Sequence, residues 1–245
     1  MSFNHSHISP AIAENWFFRK AFLLRKLFLS KNKSSHYGQM GEDIFIKNFF
    51  QKEKKGTYID VGCFHPIKYN NTYVLYKMGW RGINIDIDDI KIEGFRWLRS
   101  QDHNVCSAVS QQKGVVSYWS NGFYTPTITM DEEFVKNKHG KKYQYIKKTT
   151  TSKPLTQIID ESPFFNQEID FLSIDVEGFD YNVLSSLDFK KYSPTLIAIE
   201  SQKDNFTDIQ KEDSYQYLIS KNYELVNWVG MTLMFRKSTN KRREN

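Results

Sequence analysis

Four short apolar segments with the composition of β-strands end in acidic residues. These residues are Asp60, Asp86, Asp175 and Glu200. In an open α/β sheet, ligands bind outside the carboxyl ends of the strands, so the four carboxylates are expected to converge on one crevice. A single acid at such a position is often only the N-cap of the next helix, whereas four together favour a binding site.

The segment that follows the first of these strands suits a nucleoside better than a phosphate. Residues 60–62 are Asp-Val-Gly, and the chain contains neither GxGxxG at this point nor a P-loop. Gly62 allows a ligand to approach the backbone closely. Asp86 lies 26 residues after Asp60, where a carboxylate can accept hydrogen bonds from ribose hydroxyls. These features favour an adenosine-containing cofactor without phosphates, such as S-adenosylmethionine.

Acidic residues near the later strands could activate an acceptor hydroxyl. In an extended segment Asp175 and Glu177 would point to the same side, and Glu200 ends the neighbouring predicted strand. Carboxylates with open positions suit Mg²⁺ or Mn²⁺, so we predict a divalent-cation site at these three residues. The alternative is that Glu177 and Glu200 orient Asp175 as a metal-free base. His65, with an ordinary pKa of about 6.5, is a further candidate base.

Apolar and amphipathic segments alternate from residue 40 onward. The predicted strands cover residues 58–61, 82–87, 104–110, 115–119, 171–175, 195–200, 223–228 and 231–236. The predicted helices cover residues 41–50, 72–78, 88–99, 155–159 and 214–220. Strands that alternate with helices predict an α/β fold with a mostly parallel sheet. The last two strands, joined around Gly230, predict an antiparallel hairpin at its edge.

The composition of the 245 residues is that of a globular protein, with 40% hydrophobic and 25% charged residues. No apolar run approaches the roughly 18 residues of a membrane span. Cys63 and Cys106 are the two cysteines, too few for a disulfide scaffold. Without a recognisable secretory signal, a cytoplasmic location is expected, either free or at the inner surface of the membrane.

The formal net charge of +6 is concentrated at the two ends of the chain. Residues 1–36 carry +5 and residues 236–245 carry +4, which leaves −3 on residues 37–235. This distribution argues against a nucleic-acid partner. Residues 11–29 combine helical composition with Trp, Phe, Leu, Arg and Lys. We predict a helix that docks on the core or on a partner in a homodimer; the alternative is peripheral contact with a membrane.

Residues 121–153 form the least regular part of the sequence, and long irregular segments in a compact domain are often functional. We predict a lid over the acceptor pocket. Lys141 and Lys142 could pair with phosphates of a nucleotide-sugar, and Tyr124 or Tyr143 could stack on a base or a sugar. The alternative is a solvated loop. His139, in the same segment, is a weaker candidate for catalysis than His65.

Five segments of the chain resemble, in the same order, the FkbM family of S-adenosylmethionine-dependent methyltransferases. They are residues 37–43, 58–66, 70–86, 171–184 and 195–200. The resemblance implies a Rossmann-like class I methyltransferase fold over residues 37–236, between an N-terminal helical extension (1–36) and a basic tail (237–245). Gly38 stands where the family has serine, and Cys63 where it usually has alanine.

The resemblance also implies roles for individual residues in binding S-adenosylmethionine. Asp60 and Gly62 would line its methionine part, Asn71 and Thr72 its amino-carboxylate end, Asp86 its ribose, and Ser107 and Ala108 its adenine. Gln39, Glu42 and Asp43 would close the site from the N-terminal side. Asp175 belongs to both the cofactor set and the catalytic set.

The expected function is O-methylation of a sugar hydroxyl, on a nucleotide-sugar or a precursor of a surface polysaccharide. One alternative is an NAD-dependent oxidoreductase on a similar sheet, against which the missing GxGxxG counts. Another is a membrane-associated nucleotide-binding module without turnover. The acidic balance of the central residues disfavours a third, an RNA methyltransferase.

Overall fold

The computed structural model describes residues 14–29, 36–53, 55–138 and 144–238. In chain order its strands are β1 (Thr57–Val61), β2 (Arg81–Asp86), β3 (His103–Cys106), β4 (Ala108–Val109), β5 (Gly114–Ser120), β6 (Ile128–Thr129), β7 (Ile146–Lys153), β8 (Phe171–Ile174), β9 (Leu196–Glu200), β10 (Tyr223–Val229) and β11 (Thr232–Lys237).

The helices, in chain order, are α1 (Trp16–Leu24), α2 (Glu42–Phe49), α3 (Tyr73–Lys77), α4 (Asp89–Leu98), α5 (Glu132–Lys138), α6 (Leu155–Asp160), α7 (Asp180–Ser185), α8 (Phe206–Ile209) and α9 (Asp213–Ser220). A π-helical turn, Arg25–Leu29, continues α1. Among the described residues, no helix combines the length and the apolar character needed to cross a bilayer.

Seven of the described strands form the central sheet, in the order β10-β11-β9-β8-β1-β2-β3. Neighbours from β3 to β9 pair in parallel, and β11 is antiparallel to both β9 and β10. The predicted α/β fold with a Rossmann-like, mostly parallel sheet is therefore confirmed, and so is the hairpin around Gly230. The hairpin lies at the edge of the sheet, as predicted, with β11 on the inner side and β10 as the outermost strand. Leu233, Met234 and Phe235 of β11 are fully buried, whereas most of β10 is half-exposed, so the more apolar strand occupies the interior.

A second sheet, of four strands within the described residues, was missed by the sequence analysis. Its order is β4-β7-β5-β6. The predicted strand 104–110 is in fact broken at Ser107 into β3 and β4, which join different sheets. Residues 121–153 are also more regular than predicted, since they contain β6, α5 and the long strand β7. Residues 146–152 of β7, with three consecutive β-branched threonines, pair with the whole length of β5.

Buried strands place the carboxyl ends of the central sheet at one edge. Ile59 of β1, Leu172 of β8 and Ile197 of β9 belong to the apolar core on one face. Tyr58 and Phe171, their neighbours in sequence, belong to the core on the opposite face. Because both faces are covered by apolar side chains, the polar groups of these strands collect at the strand ends.

Helix α1 docks on the same chain, as the first interpretation of residues 11–29 predicted. Leu23 and Leu27 are buried against Ile90 and Tyr124. Arg19 pairs with Asp89 at 2.6 Å, and Lys20 pairs with Glu93, so two ion pairs join α1 to α4. Residues 11–13 of the predicted helix lie outside the described residues.

Two adjacent leucines of α1 allow a direct test of this docking. Leu23 is fully buried, whereas Leu24 is 53% exposed. We expect Leu23→Ala to lower the free energy of unfolding by about 2–5 kcal/mol, because it leaves a cavity beneath the helix. Leu24→Ala, the control, should change it by about 0.5 kcal/mol or less. Chemical denaturation measures both values, and equal effects would contradict the docked arrangement.

Candidate active site

A cavity of about 380 Å³ lies at the carboxyl ends of β1, β2, β8 and β9. The loop 126–130, which includes β6, forms the facing wall. The predicted site residues that line the cavity are Gln39, Gly62, Asp86, Ser107, Ala108, Asp175, Glu177 and Glu200. The predicted site residues that do not line it are Glu42, Asp43, Asp60, His65, Asn71 and Thr72. The volume is that of a small-molecule site.

Gly62 follows β1 directly and lies against the end of β8. Its φ angle is +80°, a conformation that favours glycine. A Cβ atom at this position would overlap the carbonyl oxygen of Asp175. The amide of Gly62 donates to the carbonyl of Ile85 at 2.9 Å. Glycine is therefore required for β2 and the end of β8 to approach the same turn.

Asp86 lines the cavity at the end of β2. Its Oδ1 accepts from the amide of Asp88 at 2.9 Å, and its Oδ2 accepts from the amide of Phe64 at 3.2 Å. The same Oδ2 accepts from Nζ of Lys91 at a longer 3.4 Å. These contacts keep the carboxylate turned toward the cavity, where it can accept hydrogen bonds from hydroxyl groups.

Lys91 is a cavity residue that the sequence analysis missed. It is 2% exposed and lies over the Phe64 ring, 5.1 Å from its centroid. An ammonium group has three donors, and within the described part of the chain the long contact with Asp86 is its one hydrogen bond. Because Lys91 also lines the cavity, its remaining donors can bind an oxygen atom of a ligand. Its place within the predicted helix 88–99 gave no signal of burial.

Asp60 lies behind the cavity wall rather than in it. Its Oδ2 accepts from Nδ2 of Asn70 at 2.9 Å and from Oγ1 of Thr72 at 2.7 Å. Burial raises the pKa of Asp60, and the nearby charge of Arg99 opposes that shift. The hydroxyl of Thr72 is thus already committed to a carboxylate. The structure therefore places Asp60 and Thr72 in a supporting layer, and Asn71 likewise lies outside the cavity lining.

A fully buried arginine organises this supporting layer. Arg99 donates from Nη1 to Asn70 at 3.0 Å and from Nη2 to Thr72 at 2.9 Å. It also donates from Nε to Asp102 at 2.9 Å, and Tyr58 donates its hydroxyl proton to the same carboxylate at 2.5 Å. A buried cation is stable only when its donors are satisfied in this way. The sequence analysis missed this cluster, because its members come from distant segments of the chain.

Asp175 and Glu200 form a pair of hydrogen-bonded carboxyl groups in the cavity wall. A hydrogen bond between two carboxyl groups requires a proton on one of them. Burial, and after it the charge of Glu177, raises the pKa of Asp175 to about 7, while the hydrogen bond with Glu200 acts in the opposite direction. A group with such a pKa can accept a proton near neutral pH.

The chain turns sharply after β8, so the predicted extended segment 175–177 is wrong. Glu177 has a φ of +54°, outside the strand conformation on which the same-side argument depended. Asp180 accepts from the amides of Val176 at 3.3 Å and Gly178 at 3.1 Å. Thr129, in the facing wall, donates to the carbonyl of Glu177 at 2.6 Å. These bonds hold Glu177 at the cavity and fasten the loop 126–130 across it.

The three acids are not arranged as a cation site. Asp175, Glu177 and Glu200 all lie in the described ranges, and across those ranges no group of three His, Cys, Asp or Glu side chains could hold a metal ion. The left-handed turn at Glu177 removes the shared orientation that the Mg²⁺ or Mn²⁺ hypothesis required.

His65 has the environment of a structural histidine. It is 1% exposed, and its Nδ1 accepts from the amides of Ile67 and Lys68, each at 3.1 Å. Burial lowers the pKa of His65 to about 3, and the charges of Lys26 and Lys68 act in the same direction. Because the lone pair on Nδ1 is occupied and the ring lies outside the cavity lining, its geometry is that of a residue that shapes the loop after Gly62.

The N-terminal segment of the site is braced by its own acids. The carboxylate of Glu42 accepts from the amide of Met40 at 2.8 Å, and that of Asp43 accepts from the amide of Tyr37 at 2.8 Å. A Cβ atom at Gly38 would overlap Glu42 Oε2, so the glycine found in place of serine makes room for this carboxylate. Only Gln39 of the predicted N-terminal group lines the cavity.

Of the two predicted stacking residues the structure describes Tyr124, which does not line the cavity. Tyr124 is buried against Phe22 and Phe64, which leaves its ring inaccessible to a sugar or base. His139, Lys141, Lys142 and Tyr143 lie outside the described residues. The part of the predicted lid that borders the cavity is the loop 126–130.

A family model described as the methyltransferase FkbM domain matches residues 56–225. The chain belongs to the FkbM methyltransferase family. The match contains both halves of the site, from Gly62 and Asp86 to Asp175 and Glu200. It therefore makes the chain an S-adenosylmethionine-dependent methyltransferase, as the sequence resemblance implied, and not an oxidoreductase.

Comparison with solved structures gives remote similarities. One is a TehB-like S-adenosylmethionine-dependent methyltransferase from Corynebacterium glutamicum, with 13% identity and a TM-score of 0.44, covering 94% of this chain and 100% of the other. Another is an O-methyltransferase from Bacillus cereus in complex with S-adenosylhomocysteine, with 10% identity and a TM-score of 0.43, covering 87% and 95%. No curated protein sequence matches this chain.

The role of Lys91 can be measured by cofactor binding alone. We expect Lys91→Met to weaken the binding of S-adenosylhomocysteine by about tenfold or more, because a hydrogen bond from a charged donor contributes about 1.5–3 kcal/mol. Titration calorimetry measures the dissociation constant. Lys190→Met, at an exposed lysine away from the cavity, is the control. Equal affinities of the wild type and Lys91→Met for S-adenosylhomocysteine would show that Lys91 does not bind the cofactor.

Proposed function

We propose that this methyltransferase transfers the methyl group of S-adenosylmethionine to a hydroxyl oxygen of a sugar. The observation that carries the proposal is the hydrogen-bonded pair Asp175–Glu200 in the cavity wall. Transfer to oxygen requires removal of the hydroxyl proton, and a carboxylate pair with a pKa near neutrality is suited to accept it.

The residues of the cavity fit the cofactor. Asp86 offers acceptors and Lys91 offers donors to ribose, beside the close backbone approach at Gly62. Ile85, Ile87 and the segment 107–109 supply an apolar wall suited to an adenine ring. When bound, the cofactor supplies an electrophilic methyl group on a positively charged sulfur. The chain has to hold the acceptor oxygen beside that methyl group and to exclude water.

The acidic residues of the cavity, Asp175, Glu177 and Glu200, provide for removal of the hydroxyl proton. Burial, and after it the charge of Glu177, keeps the proton affinity of the Asp175 carboxyl high. Once the pair has lost its shared proton, it can take the proton of the acceptor hydroxyl as the oxygen attacks. The bonds from Asp180 and Thr129 keep this edge in place while the proton moves.

The rim of the cavity supports a sugar as the acceptor. Gln39, Thr127 and Glu177 offer hydrogen-bonding side chains, and the 65%-exposed Tyr69 offers an aromatic ring. A sugar has several hydroxyl groups and one less polar face, which matches this combination of groups. We further propose that the sugar is carried by a nucleotide or is part of a precursor of a surface polysaccharide.

The direct test is product analysis. Purified enzyme is incubated with isotopically labelled S-adenosylmethionine and with monosaccharides, nucleotide-sugars and oligosaccharides. We expect a labelled O-methyl ether on a sugar carbon, identified by NMR spectroscopy. Turnover on amines, phenols or RNA with none on sugars would overturn the proposal.

The pKa of Asp175 predicts the pH dependence of the reaction. Because the deprotonated pair is the base, kcat/KM should rise as the pH is raised through about 7. Asp175→Asn should lower kcat by about a hundredfold or more and abolish this rise, with the affinity for S-adenosylhomocysteine retained. Glu168→Gln, at an exposed site, is the control. An unchanged pH profile in Asp175→Asn would show that another group is the base.

The same shift predicts a change in stability with pH. The pKa of Asp175 is raised in the folded protein from an ordinary value of 3.8 to about 7. Its contribution to folding is therefore complete below about pH 4 and is lost as the pH rises through 7. Chemical denaturation should show that the free energy of unfolding falls less between about pH 5 and 8 in Asp175→Asn than in the wild type. Parallel curves for the two proteins would contradict the shift.

Removal of metal ions should leave the activity intact. The described acidic residues do not form a cation site, and the proton is taken by carboxyl groups. We expect the same kcat after exhaustive treatment with EDTA, measured with the sugar acceptor in chelator-treated buffer. Loss of activity that Mg²⁺ or Mn²⁺ restores would revive the cation hypothesis.

A further inference from the structure

Tyr69 combines two features that an ordinary surface tyrosine does not share. It lines the cavity although it is 65% exposed, so its ring stands at the mouth. Its φ angle is +51°, in the left-handed region that is unfavourable for a bulky side chain. A residue in such a conformation persists only where its surroundings fix it, and such residues cluster at ligand-binding sites. The strain therefore points to a role for this ring at the cavity.

His65 fixes the backbone on the N-terminal side of Tyr69. Its Nδ1 accepts from the amides of Ile67 and Lys68, each at 3.1 Å. Because both partners are donors, Nδ1 carries the lone pair and the proton of the neutral ring lies on Nε2. The imidazole is 1% exposed, so the turn that it closes is anchored inside the protein.

Asn70 fixes the backbone on the C-terminal side of Tyr69. It is 2% exposed, and its Nδ2 donates to Oδ2 of Asp60 at 2.9 Å and to the carbonyl of Cys63 at 3.2 Å. Its amide donates to the carbonyl of Tyr37 at 3.0 Å. Since the residues on both sides are held, the Cα–Cβ bond of Tyr69 keeps one direction.

We propose that Tyr69 stacks on the acceptor sugar and that His65 is the positioning residue that holds its backbone in place. The proposal rests on the proposed function, since it takes the acceptor to be a sugar. The negative face of an aromatic ring attracts the C–H groups on the less polar face of a sugar, and a ring whose backbone is already fixed loses less entropy on binding. A hydroxyl group projecting from the stacked face would hold the rings apart, so Tyr69 also selects between sugars of different configuration.

Steady-state kinetics with the sugar that is methylated fastest in the product analysis test the stacking. We expect Tyr69→Ala to raise KM for this sugar by about tenfold with kcat within about twofold of the wild type, because the ring contacts the acceptor and not the reacting atoms. Tyr69→Phe, which keeps the ring, should recover most of the loss. Phe165→Ala, at a 50%-exposed aromatic residue outside the cavity lining, is the control and should keep the wild-type KM.

Two substitutions separate positioning by His65 from a general effect on folding. In His65→Asn the Oδ1 atom is as many bonds from Cα as Nδ1 is, so an acceptor remains and KM for the sugar should stay within about threefold of the wild type. His65→Leu removes the acceptor and should raise this KM by about tenfold, with the affinity for S-adenosylhomocysteine retained. The double variant His65→Leu/Tyr69→Ala should show no further increase, because His65 acts through Tyr69.

Limited proteolysis measures the loop without any acceptor. Chymotrypsin cleaves after aromatic residues, and mass spectrometry gives the rate of cleavage after Tyr69. We expect this rate to be about tenfold higher in His65→Leu than in the wild type and in His65→Asn, because a freed turn enters the protease more readily. Cleavage after the exposed Phe165 is the internal reference that corrects for any general loss of stability.

Each part of the proposal can fail by itself. A wild-type KM in Tyr69→Ala would overturn the stacking. Additive effects of His65→Leu and Tyr69→Ala on KM, or wild-type cleavage after Tyr69 in His65→Leu, would overturn the positioning role. If the wild type binds S-adenosylhomocysteine but methylates no sugar, the proposed function falls and the stacking with it, and the proteolysis still decides whether His65 fixes the loop.

Discussion

The contact between the turn after β1 and the end of β8 is the constraint on which the site depends. The amide of Asp175 donates to the carbonyl of Val61 at 3.0 Å, and Gly62 leaves room for the Asp175 carbonyl. This contact brings the turn at Gly62 and the pair Asp175–Glu200 to one cavity. Any side chain at Gly62 would force the two strand ends apart. In the proposed reaction the methyl donor and the base would then no longer be adjacent.

A second layer beneath the cavity gives this edge its rigidity. The buried guanidinium of Arg99 holds Asn70 and Thr72, and these two residues hold Asp60. Asp60, which the family resemblance places at the cofactor, thus lies one layer behind the cavity wall in this structure. The arrangement assigns Asp60 to the support of the wall, while Asp86 and Lys91 present their polar groups to the cavity.

The facing wall comes from the second sheet. Loop 126–130 crosses the carboxyl ends of the central strands, and the bond from Thr129 to Glu177 joins it to the acidic edge. One wall therefore belongs to a regular Rossmann-like sheet and the other to a smaller sheet built from β4 to β7. In the proposed reaction the central sheet binds the cofactor and activates the acceptor hydroxyl. The smaller sheet excludes water and borders the acceptor.

The local pattern of the sequence determined the alternating elements, the parallel sheet, the hairpin and the acids Asp86, Asp175 and Glu200 at the cavity. Such features depend on hydrophobic periodicity and on residues at strand ends, which neighbours in the chain specify. Tertiary structure alone decided that β11 lies inside the sheet, that β7 joins β5, and that Arg99, Lys91 and His65 are buried. These outcomes depend on contacts between residues far apart in the chain. Burial then shifted the pKa values of Asp175 and His65, because a group is desolvated only when residues from distant parts of the chain surround it.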